Sequence, residues 1–191
     1  MGFATTVQGI NSASLGLFSL YLLGRGDVSL PVIAIPGISG LKYLYLSSGK
    51  GNTEWAHYLS WFLTTPIMLS LIFSLNSYPL ISSAVLIFAN QIMIAAGYMG
   101  TIQKNKEEAY KWFWLGCFAF LPILYQLVQF ESGIPLIILT VVLWSLYPIV
   151  WYLENEQMIT KETEKLSYSF LDFTSKAGLV VLYMIDTGLK F

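Results

Sequence analysis

The chain has 191 residues, of which 55% are hydrophobic and only 11% are charged. Soluble domains carry roughly 25% charged residues, so this composition is typical of a membrane protein. The formal net charge of −1 gives no basis for binding nucleic acid, and the single cysteine excludes an internal disulfide.

Seven apolar stretches follow one another, each close to the roughly 20 residues that a helix needs to cross a bilayer. They are Thr5–Leu23, Val28–Leu46, Trp55–Leu75, Pro79–Met99, Ala109–Phe130, Ile134–Leu153 and Leu166–Thr187. The joints between them are short and hold most of the turn-forming and charged residues. The sequence therefore predicts an all-α membrane protein, a seven-transmembrane-helix bundle that forms one domain over residues 1–191.

The distribution of positive charges leaves the orientation of this bundle open. With the N-terminus outside, the cytoplasmic side would hold Arg25 and Lys190, whereas the outer side would hold Lys50, Lys104, Lys106, Lys161 and Lys165. The positive-inside rule then favours a cytoplasmic N-terminus. Arg25, which follows the first span directly, favours the opposite orientation.

Two spans place tryptophans deep in the membrane rather than at its boundary. The third span contains Trp61, and in the sixth Trp144, Tyr147 and Trp151 recur at i, i+3 and i+7, on one helix face. Core packing or an interfacial belt is an alternative explanation of this aromatic stripe. The depth of Trp61 and Trp144 favours two tryptophans that enclose a flat apolar polyene.

The seventh span carries two opposite charges, Asp172 and Lys176, four residues apart and therefore on one helix face. An ionisable residue inside a span indicates a functional site. One interpretation is a structural ion pair. The other is that the Lys176 amine forms a Schiff base with an aldehyde, and that Asp172 balances the positive charge of the protonated Schiff base.

Five short motifs, in order along almost the whole chain, together resemble the microbial (type I) rhodopsin family. They are WFLTTP on span three, ANQIMIAAG on span four, KWFW on span five, LWSLYPIVW on span six and LDFTSKAG on span seven. The resemblance implies all-trans retinal bound to Lys176 and an N-terminus outside. It also implies a pocket lined by Tyr58, Trp61, Thr64, Thr65, Met68, Met93, Gly97, Trp144, Tyr147, Trp151 and Ser175.

The third span departs from the outward proton pumps of this family. The pumps have a proton-accepting carboxylate one residue before the tryptophan, where this chain has Ser60, which cannot take up a proton near neutral pH. Their proton-donating carboxylic acid, ten residues after the tryptophan, is replaced by Leu71. A conventional outward proton pump is therefore not expected.

His57 stands where the family usually has an arginine. With a neutral His57, the protonated Schiff base balances Asp172 alone and no buried charge is left unpaired. With a protonated His57, chloride would fit beside Ser60, so anion binding would depend on pH. The alternative is that His57 only packs, or donates a hydrogen bond to Tyr43 or Asp172.

Lys42, inside the second span, is expected to extend its amine to the membrane surface, as long cationic side chains do. The alternative is that it supplies a cation to the interior. Glu156 and Glu164, at the last joint, resemble the paired carboxylates that release protons in the pumps, and the alternative is ordinary solvated loop charges.

The sequence thus predicts a retinal-binding, light-activated integral membrane protein of the plasma membrane, with no enzymatic activity and no metal site. We expect light-driven or light-gated ion translocation, of an anion such as chloride or of H⁺ by a non-standard route. Asp172 is the sole carboxylate counterion of Lys176 in this prediction, and the ion pathway includes Ser60, His57, Tyr43, Glu156 and Glu164. The alternative is a photosensor that signals through a partner protein. The lipid bilayer surrounds the chain, and the resemblance implies a homo-oligomer, a trimer or a pentamer.

Overall fold

Seven α-helices make up this computed structural model, which describes residues 2–49 and 54–189. They are α1 (Phe3–Arg25), α2 (Leu30–Ser47), α3 (Glu54–Leu75), α4 (Leu80–Ile102), α5 (Lys106–Leu127), α6 (Ile134–Asn155) and α7 (Lys161–Asp186). The predicted seven-helix bundle is confirmed. Lys50 and Lys190, two of the charges that bear on orientation, lie outside the described residues.

Four of the described helices, α2, α3, α4 and α6, are long and apolar enough to cross a membrane by length and composition. The other three are of similar length but more polar. α1 buries Gln8 and Asn11, and α5 and α7 begin with charged residues. These three helices pack into the same bundle as the four apolar ones.

Some helix ends differ from the predicted spans because polar residues continue a helix beyond its apolar part. α7 begins at Lys161 rather than at Leu166, since the hydroxyl of Thr160 accepts a hydrogen bond of 3.1 Å from a backbone N–H of the first turn. α5 likewise begins early, at Lys106, behind an Asn105 cap. Apolarity alone therefore predicts the membrane part of a helix but not its whole length.

The helices form a ring in chain order. Each helix contacts the next, and α7 closes the ring against α1 while it also touches α2 and α3. The buried face of α7 includes Tyr168, Asp172, Lys176 and Leu179, whose spacing of three or four residues is that of one helix face. Both charged residues of the seventh helix therefore point into the bundle.

The two halves of the bundle differ in polarity. A large apolar cluster fills the half towards the C-terminus of α7, where Leu69, Ile72, Leu136, Leu179 and Met184 are fully buried. The buried polar residues described below lie towards the other end, where α3 and α7 begin. Burial of apolar side chains against neighbouring helices thus holds one half, and polar contacts between helices are concentrated in the other.

α1 and α2 approach each other closely at Gly40. A Cβ atom at this residue would lie 3.0 Å from the backbone nitrogen of Gly16 and 3.3 Å from its Cα. The hydroxyl of Ser12 donates a hydrogen bond of 3.0 Å to the Gly40 carbonyl. Small residues at such crossings allow two membrane helices to pack with their backbones in contact.

We therefore expect Gly40→Val to lower the free energy of unfolding by about 1–3 kcal/mol, because the added side chain overpacks the contact between α1 and α2. Thermal unfolding in detergent measures the effect. Gly24→Val is the matched control, since a Cβ at Gly24 in α1 meets no atom within 4 Å. Equal loss of stability in the two variants would contradict the assignment of Gly40 to a tight helix crossing.

Candidate functional site

Asp172 is the centre of a buried cluster of charges. Its Oδ1 accepts hydrogen bonds from Lys176 Nζ, one turn further along α7, and from Trp61 Nε1 at 2.8 Å. Its Oδ2 accepts a hydrogen bond of 2.5 Å from Lys42 Nζ. The carboxylate is fully buried, and donors from α2, α3 and α7 bind both of its oxygens.

The prediction that Lys42 extends to the membrane surface is wrong. Its side chain is only 3% exposed, and Nζ lies 3.7 Å from the centroid of the Tyr43 ring. A carboxylate within hydrogen-bond distance offers the ammonium group an ion pair inside the bundle, so it has no need to reach the headgroups. Buried residues of α2 recur every three or four positions, and they include Ile35, Ser39, Lys42 and Leu46. This helical spacing is the signal in the sequence that places Lys42 on the inner face.

Lys42 also changes the predicted charge balance. The sequence predicts that, with a neutral His57, Asp172 balances one cation and leaves the site neutral. In the described structure two lysines share this carboxylate. With both amines protonated, the cluster holds one positive charge more than it has negative charges.

Ser60 and His57 lie one turn apart on α3 and are 3% and 5% exposed. Within the described part of the chain, the Ser60 hydroxyl and both ring nitrogens of His57 have no hydrogen-bond partner. The predicted alternative of a hydrogen bond from His57 to Tyr43 or Asp172 is not formed. The Tyr43 hydroxyl donates instead to the Ser169 carbonyl at 3.2 Å, and its ring faces His57 edge-on with centroids 6.4 Å apart.

An apolar cavity adjoins Lys176 and lies among α3, α4, α5, α6 and α7. The predicted pocket residues that line it are Tyr58, Trp61, Thr65, Met68, Met93, Gly97, Trp144, Tyr147, Trp151, Ser175 and Lys176. Thr64 does not line the cavity, and its hydroxyl donates to the Ser60 carbonyl at 2.7 Å. The predicted residues that line the cavity come from the spans that carry four of the five motifs, and Phe113 adds the fifth, KWFW.

Several lining residues were missed by the sequence prediction: Ile94, Phe113, Gly116, Cys117, Phe120, Pro148 and Tyr168. Phe113 stacks on Trp151 with centroids 4.7 Å apart and ring planes 13° from parallel. Tyr168 stacks on Tyr147 with centroids 5.7 Å apart. Phe113 is part of the KWFW motif, and Tyr168 lies one turn before Asp172, so both had a usable signal.

The residues of this cavity fit the retinal expected from the sequence. A buried primary amine is present beside the cavity, and indole rings of Trp61 and Trp144 are among its walls. Trp144 Nε1 donates to the Ser175 hydroxyl at 3.2 Å, which satisfies the polar atom of this ring. Gly97 leaves room at the wall, because a Cβ there would meet the Tyr58 ring at 3.0 Å.

A second, polar cavity lies at the end of the bundle where α3 and α7 begin. Its lining consists of Glu54, His57, Tyr58, Trp61, Thr101, Lys161, Glu164, Lys165 and Tyr168. Lys161 Nζ lies 3.0 Å from Glu154, 3.2 Å from Glu164 and 3.9 Å from Glu54. Tyr58, Trp61 and Tyr168 line both cavities, and the Trp61 indole also donates a hydrogen bond to Asp172 in the charge cluster.

Glu156 and Glu164 are held by different lysines and do not share one partner. Glu156 forms an ion pair with Lys106 at 2.8 Å and accepts a hydrogen bond from Tyr110, and these contacts lower the pKa of its carboxyl group. Glu164 is buried, and burial raises the pKa of its carboxyl group. Glu154 and Glu54 are the residues that share Lys161 with Glu164.

The fold and site define a membrane-embedded helical bundle built around a buried lysine, a carboxylate and an aromatic cavity. The sequence matches the family of bacteriorhodopsin-like proteins over residues 13–187, and the chain therefore belongs to this family of microbial rhodopsins. Membership implies a retinal chromophore and a place in a membrane.

Two relatives are similar to the chain in sequence, and one solved structure shares its fold. Bacteriorhodopsin from Halobacterium salinarum is 29% identical over 92% of this chain and 80% of its own length. Sensory rhodopsin-2 from Natronomonas pharaonis is 28% identical over 81% of this chain and 74% of its own length. The crystal structure of the light-driven proton pump LR (Mac) from Leptosphaeria maculans superposes on this chain with a TM-score of 0.88 and 16% identity. The match covers 98% of this chain and 96% of that one.

The buried position of Glu164 predicts a pH-dependent stability. The pKa of Glu164 is higher in the folded protein than in the unfolded chain, so the unfolded chain loses this proton at a lower pH. The free energy of unfolding therefore falls as the pH rises from the unfolded-state pKa through the folded-state pKa. We expect Glu164→Gln to be more stable than the wild type at neutral pH, and the difference to close on acidification. Thermal unfolding across pH measures this, with exposed Glu162→Gln as the control. A stability difference that is constant across pH would contradict the prediction.

Proposed function

We propose that residues 1–191 form a single retinal-binding transmembrane domain of the plasma membrane that translocates ions in response to light. The observation that carries this proposal is the cluster of Asp172, Lys176 and Lys42 beside an aromatic cavity. Burial of a lysine costs free energy unless its ammonium group is ion-paired. A buried lysine that adjoins an apolar cavity can form a covalent bond to a carbonyl ligand held there. We also propose a homo-oligomer, a trimer or a pentamer, on the family resemblance alone.

The proposed roles follow from what each side chain contacts. Lys176 would hold all-trans retinal through Nζ, by condensation of the amine with the aldehyde and release of one water, and the bound retinal would supply the light-driven change of shape. Asp172 holds the positive charge of this nitrogen as its sole carboxylate counterion. Trp61 and Trp144 orient the ligand and exclude water, and the Trp61 indole also fixes Asp172 through its hydrogen bond.

The surroundings of Asp172 support transport of an anion over conventional proton pumping. Ser60 cannot accept a proton in place of a carboxylate. With both lysines protonated, the excess positive charge of the cluster favours a mobile anion nearby. The Ser60 hydroxyl and the ring of His57 are buried donors with no partner among the described residues, and such donors suit chloride. Proton movement by a non-standard route through His57 is the other form of this proposal.

The polar cavity supplies a route for such an ion. It extends from His57 to the carboxylates around Lys161, and we propose that Glu164 lies on this pathway. Tyr43 and Ser60 do not line the polar cavity, and we propose that they continue the pathway from His57 towards Asp172. Glu156, held by Lys106 at the same end of the bundle as Lys161, is proposed at its outer end.

A photosensor that signals through a partner protein, without net transport, is the second candidate. The similarity to a protein named sensory rhodopsin-2 favours it. The replacement of both relay carboxylates of the pumps by Ser60 and Leu71 also agrees with a protein that transports nothing. The measurement of light-driven ion movement separates the two candidates.

Lys176 is expected to be essential for colour. Protein produced with all-trans retinal should absorb visible light, and Lys176→Ala should abolish the visible band because the amine that holds the ligand is removed. Lys165→Ala, three turns earlier on α7, is the control and should keep the band. A colourless wild type, or a coloured Lys176→Ala, contradicts the proposed attachment.

We expect the light-induced signal to depend on which anion is present. Purified protein in lipid vesicles is illuminated in chloride and, separately, in sulfate, and the external pH is recorded with and without a protonophore. For chloride transport, a passive proton movement appears in chloride, grows with the protonophore and is absent in sulfate. A signal that the protonophore abolishes indicates proton transport instead. No signal in either salt, also with chloride and pH gradients imposed across the vesicle membrane and with the visible band intact, indicates the photosensor.

A further inference from the structure

We propose that Lys42 is a functional residue of the photochemical site, which shares Asp172 with Lys176 and thereby sets the proton affinity and the colour of the Lys176-bound chromophore. This role rests on the proposed retinal linkage. It goes beyond that linkage, because it assigns a second lysine, on a different helix, to the electrostatics of the reacting nitrogen.

The ammonium group of Lys42 contacts the counterion Asp172 directly. Its Nζ lies 2.5 Å from Oδ2 of Asp172, while Lys176 and Trp61 occupy Oδ1. The side chains of Lys42 and Asp172 are 3% and 0% exposed, so water screens this pair very little. The Tyr43 ring, 3.7 Å from Nζ, adds a favourable cation–π contact.

A purely structural role does not explain this arrangement. Asp172 and Lys176 already neutralise each other, and a third buried charge adds a desolvation cost with no carboxylate of its own. An apolar side chain of similar shape would hold α2 against α7 without that cost. The charge itself is therefore what this position provides.

The direction of its effect follows from Coulomb's law. The ammonium group of Lys42 repels a positive charge on the Lys176 nitrogen and draws the negative charge of Asp172 to its own side. Both effects disfavour the protonated form of that nitrogen. A counterion that Lys42 partly neutralises gives less stabilisation to the positive charge at the nitrogen in the ground state. The excitation energy is then lower, and the absorption band lies at longer wavelength.

Other titratable groups surround the cluster, and the experiment must separate them from Lys42. They are Tyr43 on α2, His57 on α3, Tyr147 on α6 and Tyr168 on α7. None of these is a carboxylate. In the part of the chain that the structure describes, Asp172 is the acidic group that contacts both lysines.

Lys42→Met tests the proposal, because methionine has a similar unbranched shape and leaves Asp172 paired with Lys176. Lys42→Gln is a second neutral variant should the first fail to fold, and Lys42→Arg retains the charge. Lys104→Met, at an exposed site between α4 and α5, removes the same charge from the surface. For each retinal-loaded variant, the absorption maximum and the pH at which the visible band is lost on alkaline titration are recorded, and thermal unfolding shows that the protein is folded.

We expect the neutral variants to absorb at shorter wavelength and to keep the visible band to a pH about 1–3 units higher than the wild type. Lys42→Arg and Lys104→Met should stay close to the wild type in both measurements. Folded, coloured neutral variants with unchanged maximum and titration would overturn the role of Lys42. A wild type that never acquires colour would overturn the retinal linkage instead, so the two failures are distinguishable.

Discussion

The ion pairs of one buried carboxylate determine the arrangement of the polar half of this protein. Asp172 accepts hydrogen bonds from Lys42 on α2, Trp61 on α3 and Lys176 on α7, so three helices converge on two oxygen atoms. A carboxylate with no access to water must have its lone pairs satisfied by donors that are fixed in place. The orientations of α2, α3 and α7 about their own axes are therefore coupled through this residue.

This constraint also explains the position of the two cavities. The hydrogen bond from Trp61 to Asp172 fixes one of the three aromatic side chains that line both cavities. On one side, aromatic rings enclose an apolar space next to Lys176. On the other side, His57 and the carboxylates around Lys161 form a polar space at the end of the bundle. A movement of the Lys176 nitrogen would disturb Asp172 first and, through Trp61, the boundary between the two spaces.

The departures of this chain from the family pattern become coherent when Lys42 is included. The third helix has His57 where the family usually has arginine and Ser60 where the pumps have a carboxylate. A cation is nevertheless present at the site, but it is supplied by α2 and contacts Asp172 directly. The site thus has a cation on α2 rather than on α3, and no second carboxylate contacts the two lysines among the described residues.

The sequence by itself determined the seven helices, the aromatic stripe of α6 and the pairing of Asp172 with Lys176, because these depend on apolar length and on helical spacing within one segment. Only the tertiary structure decided the partner of Lys42 and the separation of Glu156 from Glu164. Both depend on contacts between helices that are far apart in the chain, since residue 42 meets residue 172 only when the ring closes. Local spacing fixes which face of a helix a side chain occupies, and the packing of several helices fixes what that face meets.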